Sequence, residues 1–252
     1  MIKPYFKYIL TGAIAFIIFL VLTIPANFIH AQIKETLPAK LYQVDGTLWS
    51  GRAETLIAPN GFRVQAISWE FRPLSLLLGK ISIDTKFITE GGYGNLTLNR
   101  GLFGGLNLSD IDIKMPITDL KPFLQTVPVD LKGVLDGQLE EIEFSDNMKV
   151  ASASGRLTWN HAVIDALSEL KIGDFTLALE PTDDGTKGVI KSKEGGPLEM
   201  NGILQLNVDG HYDFKGELKA KARAPRELKQ ALQFIGKADP TGKIPLKTSG
   251  TL

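Results

Sequence analysis

Asp209, His211 and Asp213 form the one cluster in this sequence whose residue types and spacing are typical of acid–base chemistry. Alternate residues of a β-strand project from the same face, so a strand over these positions would place two carboxylates beside an imidazole. Tyr212 and Phe214, which alternate with them, are apolar. An amphipathic strand that leaves a turn explains the same pattern without any chemistry. We therefore interpret the cluster as the solvated face of a strand.

Other catalytic and metal sites lack the residues that they need. The chain has no cysteine, which excludes disulfides, thiolate metal sites and cysteine nucleophiles. Its 3 histidines, His30, His161 and His211, do not have the spacing of a helical zinc motif, and no serine-hydrolase, phosphate-loop or calcium-loop motif occurs. Basic and acidic residues balance at 28 each, so no net charge attracts nucleic acid. The sequence predicts a non-catalytic protein without cofactor, metal or nucleic-acid partner.

The N-terminal region has the composition of a membrane anchor. From Tyr8 to Ile29 no residue is charged, and most are Ile, Leu, Phe, Val or Ala. As one helix this run would be about 33 Å long, which is enough to cross the bilayer hydrocarbon. Its apolar residues fall on every side of the helix, which excludes an amphipathic surface helix. The sequence predicts a membrane-spanning helix that contains Tyr8, Ile14, Ile18, Leu22 and Ile29.

The flanking charges predict the orientation of this helix. Lys3, Lys7 and the free amine precede it, whereas His30, Lys34 and Glu35 nearly cancel on the far side. The positive-inside rule places the N-terminus in the cytoplasm and the rest of the chain in the periplasm, as in a single-pass protein of a bacterial inner membrane. A cleavable signal peptide is the alternative, but the apolar core is long for one and the cleavage site is imperfect. We expect the anchor to be retained.

After Leu41 the apolar residues follow the period of a β-strand. The clearest alternating rows are Ile81, Ile83 and Phe87 in one segment and Leu204, Leu206 and Val208 in another. One apolar and one solvated face indicate antiparallel sheet, and Asp-Gly and Gly-Gly pairs at strand-sized intervals predict the turns. We predict a mainly β protein: a cytoplasmic tip and anchor at 1–30, a stalk at 31–40, and a curved, partly open antiparallel sheet domain with a few short helices at 41–252.

Short helices are the only predicted cover for this sheet. Residues 225–235 place Leu228, Leu232 and Ile235 on one face, and weaker helices are predicted at 118–124 and 73–78. A slip in the alternation near Ser109 predicts a bulge or turn. Because this is little cover for many strands, two alternatives stay open: the apolar rows are closed under the helices, or they line an open groove that holds a lipid.

One stretch resembles a known family. Residues 41–56 contain the block Gly46-Thr47-Leu48-Trp49-Ser50-Gly51, and Trp69 follows in Ile67-Ser68-Trp69. Together with Pro25-Ala26, Leu37-Pro38 and residues 73–79, this stretch resembles the signature of the type II secretion system protein N family, also called general secretion pathway protein N. The resemblance covers essentially the whole chain, and the six-residue block is its specific part. Physically the block predicts a hairpin in which two glycines free the backbone and Trp49 is a large buried anchor.

The resemblance implies a function. Members of this family are accessory inner-membrane components of the machine that exports folded proteins from the periplasm across the outer membrane, so the implied partners are the membrane and other inner-membrane components of that machine. It implies no catalytic residue. Trp-containing hairpins also resemble those of the AsmA-like periplasmic proteins, whose curved sheets form lipid-holding grooves, and this likeness gives the alternative function. In either case we expect Trp49 and Trp69 to have structural roles.

Overall fold

A computed structural model of the chain describes residues 3–124, 129–166 and 168–251. The helices are α1 (Lys3–Leu22), α2 (Ala26–Ile33) and α3 (Arg226–Ile235), with two 3₁₀ helices at Pro73–Leu78 and Ile117–Phe123. The strands are β1 (Lys40–Gly46), β2 (Ser50–Ile57), β3 (Arg63–Phe71), β4 (Lys80–Ile88), β5 (Tyr93–Gly101), β6 (Leu106–Pro116), β7 (Asp130–Phe144), β8 (Val150–Asp165), β9 (Glu169–Thr182), β10 (Gly185–Ser192), β11 (Leu198–Asn207), β12 (His211–Ala220) and β13 (Ile244–Thr251).

The strands form one open 13-stranded antiparallel sheet in which each strand pairs with its neighbours in the chain. Alternating sequences and tight turns favour this meander, because two antiparallel strands need only a short connection. The prediction of a mainly β, open antiparallel sheet with few short helices is confirmed. The slip near Ser109 is a register shift between β5 and β6, where Asp110 adopts a φ of 53°.

A single apolar row crosses the whole sheet. Directly paired residues share a face, so following the register from β1 to β13 identifies the side chains that lie side by side. One such line contains only apolar residues and glycines: Val44, Ala53, Ile67, Phe87, Gly94, Ile113, Gly137, Leu157, Leu177, Ile190, Gly202, Gly216 and Leu246. The face that carries this row is the apolar face of the sheet.

The second half of the sheet curls towards the apolar face. The Ala153 amide in β8 donates to Oγ1 of Thr186 in β10 at 2.8 Å, although β9 lies between these strands and a flat sheet would separate them by about 9.5 Å. Thr186 pairs with Leu206 and Pro181 and so lies on the apolar face. Farther along, Lys149 Nζ donates to the carbonyl of Asp209 at 2.6 Å, which joins the β7–β8 turn to the β11–β12 turn. The predicted curvature is therefore present.

Helix α3 covers part of this curled face. Its Leu228 and Leu232 are buried in a cluster with Phe175 of β9, Leu218 of β12 and Ile244 of β13. The helix begins after Pro225, as the sequence predicts, because proline at a helix start loses no hydrogen bond. Both weaker helices also form, as 3₁₀ rather than α turns, and the second starts one residue early. Most of the sheet has no helical cover among the described residues.

The N-terminal apolar run is not one helix. α1 ends at Leu22, Pro25 is extended, and α2 begins at Ala26. A proline cannot donate the amide that would continue the ladder, and the residue before it disfavours the α conformation, so the helix ends here. Pro25 instead forms an isolated bridge with Thr47. Within residues 3–124, 129–166 and 168–251, none of the helices has both the length and the apolarity to cross a membrane.

Candidate functional site

The Gly46–Gly51 block forms the tip of the β1–β2 hairpin. Gly46 pairs with Gly51, and the amides of Thr47 and Ser50 bond across the turn to the Ser50 carbonyl and the Thr47 hydroxyl, at 2.8 and 3.1 Å. Gly46 has a φ of 87°, and a Cβ there would lie 2.6 Å from the Ser50 carbonyl oxygen. Only glycine fits this position without strain, because side chains disfavour positive φ. The glycine–glycine frame therefore presents Leu48 and Trp49 at the tip.

The hairpin tip donates hydrogen bonds to carbonyls in the last turn of α1 and just after it. The Leu48 amide donates to the carbonyl of Ile24 at 2.9 Å, and Trp49 Nε1 donates to the carbonyl of Val21 at 2.7 Å. The last carbonyls of a helix have no partner within the helix and must find donors elsewhere. Thr23 assists through its hydroxyl, which donates to Phe19 at 2.8 Å. We call this contact between the hairpin tip and the end of α1 the junction.

A second tryptophan, Trp69 of β3, also contacts the hairpin tip. Trp69 Nε1 donates to the Leu48 carbonyl at 3.1 Å, and its ring lies over Gly51, where a Cβ would be 2.4 Å from Cζ2. The Trp49 ring packs on Phe71 with centroids 5.0 Å apart. Both tryptophans are only half-buried, so the expectation that Trp49 is a large buried anchor is wrong. Its ring is held instead at the edge of the fold by one hydrogen bond and one aromatic contact.

An ion pair fixes the next connection, between β3 and β4. Arg72 Nε donates to Asp84 Oδ2 at 2.6 Å, and the Arg72 amide donates to the Ser82 carbonyl at 2.9 Å. Ser75 closes the loop, because its hydroxyl donates to the Arg72 carbonyl and accepts from the Ser82 amide. Partial burial raises the pKa of Asp84, but the hydrogen bonds from Arg72 and Thr97 outweigh it and hold that pKa below its ordinary value. The first 3₁₀ helix is therefore held rigidly beside the junction.

The predicted anchor residues fall in two helices. Tyr8, Ile14, Ile18 and Leu22 lie on α1, where every residue from position 7 to 22 is exposed. Ile29 lies on α2 and is half-buried, so the structure does not place it with the others. α2 turns back along β1, and its Ala26 is buried with Val44 and Ala53.

The two predicted groove rows share the apolar face but do not meet. Phe87 belongs to the apolar row, with Ile81 and Ile83 on the same side of β4, and Leu204 and Leu206 are on that side of β11, with six strands between. Val208 follows β11 in the turn and is exposed. The groove at these six residues stays a prediction.

A cavity of about 410 Å³ lies on the apolar face in the second half of the sheet. Its lining is almost wholly apolar and comes from the second 3₁₀ helix and from β7–β13: Ile117, Leu135, Leu157, Trp159, Ile164, Ile172, Phe175, Thr176, Leu177, Ile190, Leu198, Met200, Leu218 and Leu246. We call it the apolar cavity. Only the register across the sheet brings these residues together, and alternation within single strands could not identify them.

The acid–base cluster has no catalytic geometry. His211 Nε2 is 3.7 Å from Asp213 Oδ2, and both side chains are nearly half exposed. Asp209 uses a carboxylate oxygen to accept from the His211 amide at 3.0 Å, so it closes the turn rather than orienting the imidazole.

The junction is the feature that residue-by-residue analysis missed. A signal existed in the sequence: Pro25 interrupts the apolar run, and an indole with a free donor follows in the signature. The sequence does not show that these two segments contact each other, since Val21 and Trp49 are 28 positions apart.

Comparison with known proteins gives consistent matches. A family model described as Type II secretion system (T2SS), protein N matches residues 38–247. A Type II secretion system protein N from Aeromonas hydrophila is 30% identical over 251 residues, which is 95% of each chain. The protein of the same name from Klebsiella pneumoniae is 25% identical over 240 residues, covering 94% of this chain and 92% of the relative. No solved structure gives a significant match.

Proposed function

Because the chain belongs to the type II secretion system protein N family, we propose that it is an accessory component of the type II secretion machinery at the bacterial inner membrane. It supports export of folded periplasmic proteins across the outer membrane, and it acts as a non-catalytic scaffold that contacts other inner-membrane components of the machine. One observation carries this proposal: the family signature forms the junction between an apolar helix and an extended sheet, rather than a pocket with reactive groups.

In the proposed topology α1 is a retained single-pass anchor, with its N-terminus in the cytoplasm and the sheet in the periplasm. Two properties of α1 support this proposal. No charged residue occurs after Lys7, and its large apolar side chains, such as Phe16 and Phe19, are exposed on all sides. An apolar helix without an amphipathic face is stable only where a non-aqueous environment surrounds it. Residues 31–40 remain the proposed stalk.

A topology experiment tests the anchor. A reporter that is active only in the periplasm, fused after Leu252, should be active, and N-terminal sequencing of membrane-extracted protein should begin at or next to Met1. A reporter active only in the cytoplasm at the same position would contradict the orientation. A chain that begins at Gln32 would contradict retention of the anchor.

A secretion experiment tests the scaffold role. Deletion of the gene should reduce export of a folded enzyme by the type II pathway, and the full chain should restore it. A photo-crosslinker at an exposed position of the sheet should capture other inner-membrane components of the machine. Normal export after deletion, together with no crosslink to any component, would reject the proposal.

The apolar cavity supports a second candidate, a lipid-binding role like that of the AsmA-like proteins. A cavity of about 410 Å³ with almost no polar lining has the chemistry of an acyl-chain site. Full-length protein extracted in mild detergent would be examined by native mass spectrometry for bound phospholipid. Leu177→Asp, in the cavity, should abolish such binding, whereas Ile203→Asp, at an exposed position of β11, should not. Lipid-free protein with intact crosslinks would leave only the scaffold role.

A further inference from the structure

The connections of the sheet fall at two opposite ends. In a meander successive turns alternate, so the β1–β2, β3–β4 and β5–β6 connections share one end, and the β2–β3 and β4–β5 connections share the other. The chain at the end of α1 accepts hydrogen bonds from Leu48 and Trp49 at the β1–β2 tip, so α1 meets the sheet at the first of these ends. We call it the helix end, and the opposite one the far end.

Large apolar side chains project into solvent at the helix end. They come from the first 3₁₀ helix and from the β5–β6 turn, and we call them the apolar rim: Leu74, Leu77, Leu78, Leu102 and Phe103. Leu77 is 83% exposed and Phe103 is as exposed as in an extended peptide. Single exposed apolar residues are ordinary, but a contiguous group of this size indicates a surface that meets something apolar.

The apolar rim is contiguous with the end of α1. Trp49 joins the Val21 carbonyl to the Phe71 ring, and the Phe71 amide donates to the Trp49 carbonyl at 2.7 Å. Phe71 leads into the first 3₁₀ helix, whose following residue, Gly79, accepts from the Leu102 amide at 3.0 Å. The ion pair of Arg72 and Asp84 holds this connection in place. The rim is thus fixed at the level where α1 ends.

The charges beside the rim match a lipid surface. Lys80 begins β4, just after the first 3₁₀ helix, and pairs with Gly101 at the end of β5. Arg100 is the residue before Gly101. Neither Lys80 nor Arg100 forms an ion pair within residues 3–124, 129–166 and 168–251. In segments that bind a membrane interface, cationic side chains contact the lipid phosphates while neighbouring apolar side chains contact the acyl chains. An indole at the same level is typical of the membrane interface.

We propose that the apolar rim is inserted into the interfacial layer of the same bilayer that holds α1, so that the sheet stands on the membrane by its helix end. This inference rests on the proposed anchor for its orientation. At the far end the turns carry Asn60, Glu90 and Glu194, and exposed apolar side chains lie on the second 3₁₀ helix (Phe123) and on α3 (Phe234 and Ile235). The later turns of the helix end carry the exposed Asp146, Asp183 and Asp184, so the apolar rim is confined to the first six strands. Contact of the rim with a protein of the secretion machine is the alternative that the test must exclude.

The absence of cysteine allows site-specific labelling of the full chain. Single variants Leu77→Cys and Phe103→Cys report on the rim, Ile14→Cys on the anchor, and Glu90→Cys and Phe234→Cys on the far end. Each would carry an environment-sensitive fluorophore in nanodiscs of phosphatidylethanolamine and phosphatidylglycerol, with or without acyl-chain spin-labelled lipid as quencher. Phe234 is the matched control, because it is an equally exposed phenylalanine away from the rim. All five side chains are exposed, so each variant should keep the parent melting temperature.

The expected result is that labels at positions 14, 77 and 103 lose most of their emission in quencher-containing discs, whereas those at 90 and 234 keep theirs. Quenching at 14 without quenching at 77 and 103 would overturn the rim proposal and leave the anchor standing. Absence of quenching at 14 would reject the anchor, and the rim would then be judged by positions 77 and 103 alone. Equal quenching at 234 and 103 would show unoriented adsorption and would also overturn the proposal.

Discussion

At the scale of single residues, the junction depends on donors that can reach the end of a helix. Trp49 combines an N–H that bonds to the Val21 carbonyl with a ring that packs on Phe71. No other side chain offers one donor on a large flat apolar surface, because tyrosine carries its hydroxyl at the far tip and phenylalanine has none. The identity of this residue therefore follows from two contacts that only the folded chain reveals.

Trp49→Phe removes the donor and keeps most of the ring. The Val21 carbonyl would keep only the Ile24 amide, at 3.4 Å, as a donor, so we expect the free energy of unfolding to fall by about 1 kcal/mol. Chemical denaturation of the full chain in detergent measures the change. Tyr42→Phe is the control, because Tyr42 is exposed and lies on β1, before the hairpin tip. Equal stability of Trp49→Phe and the parent would mean that the indole N–H contributes nothing to the junction.

Gly51→Ala tests the contact beneath the second tryptophan. The new methyl would lie 2.4 Å from the Trp69 ring, so the indole must shift away from the Leu48 carbonyl. We expect a loss of about 1–3 kcal/mol in the free energy of unfolding, as for other overpacked sites. Gly12→Ala should cause no loss, because nothing lies within 4 Å of its Cβ position. Each variant adds one methyl group, which meets the Trp69 ring at position 51 and no atom within 4 Å at position 12.

At the scale of elements, alternation and turn residues predict most of this fold. The strands around Ile83 and Leu204, the register shift at Ser109 and helix α3 all follow from local sequence, because each depends on periodicity or on a backbone breaker. The surroundings of the α1 end do not follow in the same way: Pro25 interrupts the apolar run, but no local pattern predicts its bridge with Thr47. Such contacts between segments distant in the sequence cannot be predicted from the periodicity of one segment.

Helix α3 offers a test of how the apolar face is covered. Leu228 is 3% exposed and packs into the cluster with β9, β12 and β13, so Leu228→Ala should cost about 2–5 kcal/mol of unfolding free energy. Phe234→Ala, on the exposed side of the same helix, should change stability by less than about 0.5 kcal/mol. Urea unfolding followed by circular dichroism measures both. A small effect at Leu228 would mean that the face holds together without this helix.

At the scale of the whole molecule, the apolar row joins residues that the sequence spreads over two hundred positions. Each strand contributes one apolar residue or glycine, and the row runs from Val44 to Leu246 without a polar interruption. Single strands show their own alternation, but the sequence does not state which positions of different strands are aligned. The apolar cavity arises from this alignment, which explains why Leu177 and Met200 were not among the predicted groove residues.

Stability should depend on pH through three aspartates. The pKa of Asp84 is lowered by hydrogen bonds from Arg72 and Thr97 that outweigh partial burial, that of Asp130 by Lys121, and that of Asp239 by Thr241 and Lys243. A carboxylate with a lowered folded pKa stabilises the fold above its unfolded pKa, and this contribution is lost as the pH falls through the folded value. We therefore expect stability to decline below about pH 4.

Urea unfolding at about pH 7 and about pH 3 measures this decline. Asp84→Asn should be less stable than the parent at the higher pH and should lose less on acidification, because its share of the linkage is gone. Asp146→Asn, at an exposed turn, is the control and should follow the parent. If Asp84→Asn and the parent lost the same unfolding free energy between the two pH values, the Arg72–Asp84 ion pair would not contribute to the pH dependence of stability.

The meander order of the sheet has a consequence for how the chain folds. Because each strand pairs with its chain neighbours, most pairings close short loops, and pairing can proceed strand by strand from β1 onward. Such a structure is nearly one-dimensional, so its opening should be graded rather than all-or-none. Amide hydrogen exchange should be slowest in β7, β8 and β9, the long central strands of 15, 16 and 14 residues, and fastest in the edge strands β1 and β13, each of which has a neighbour on one side only.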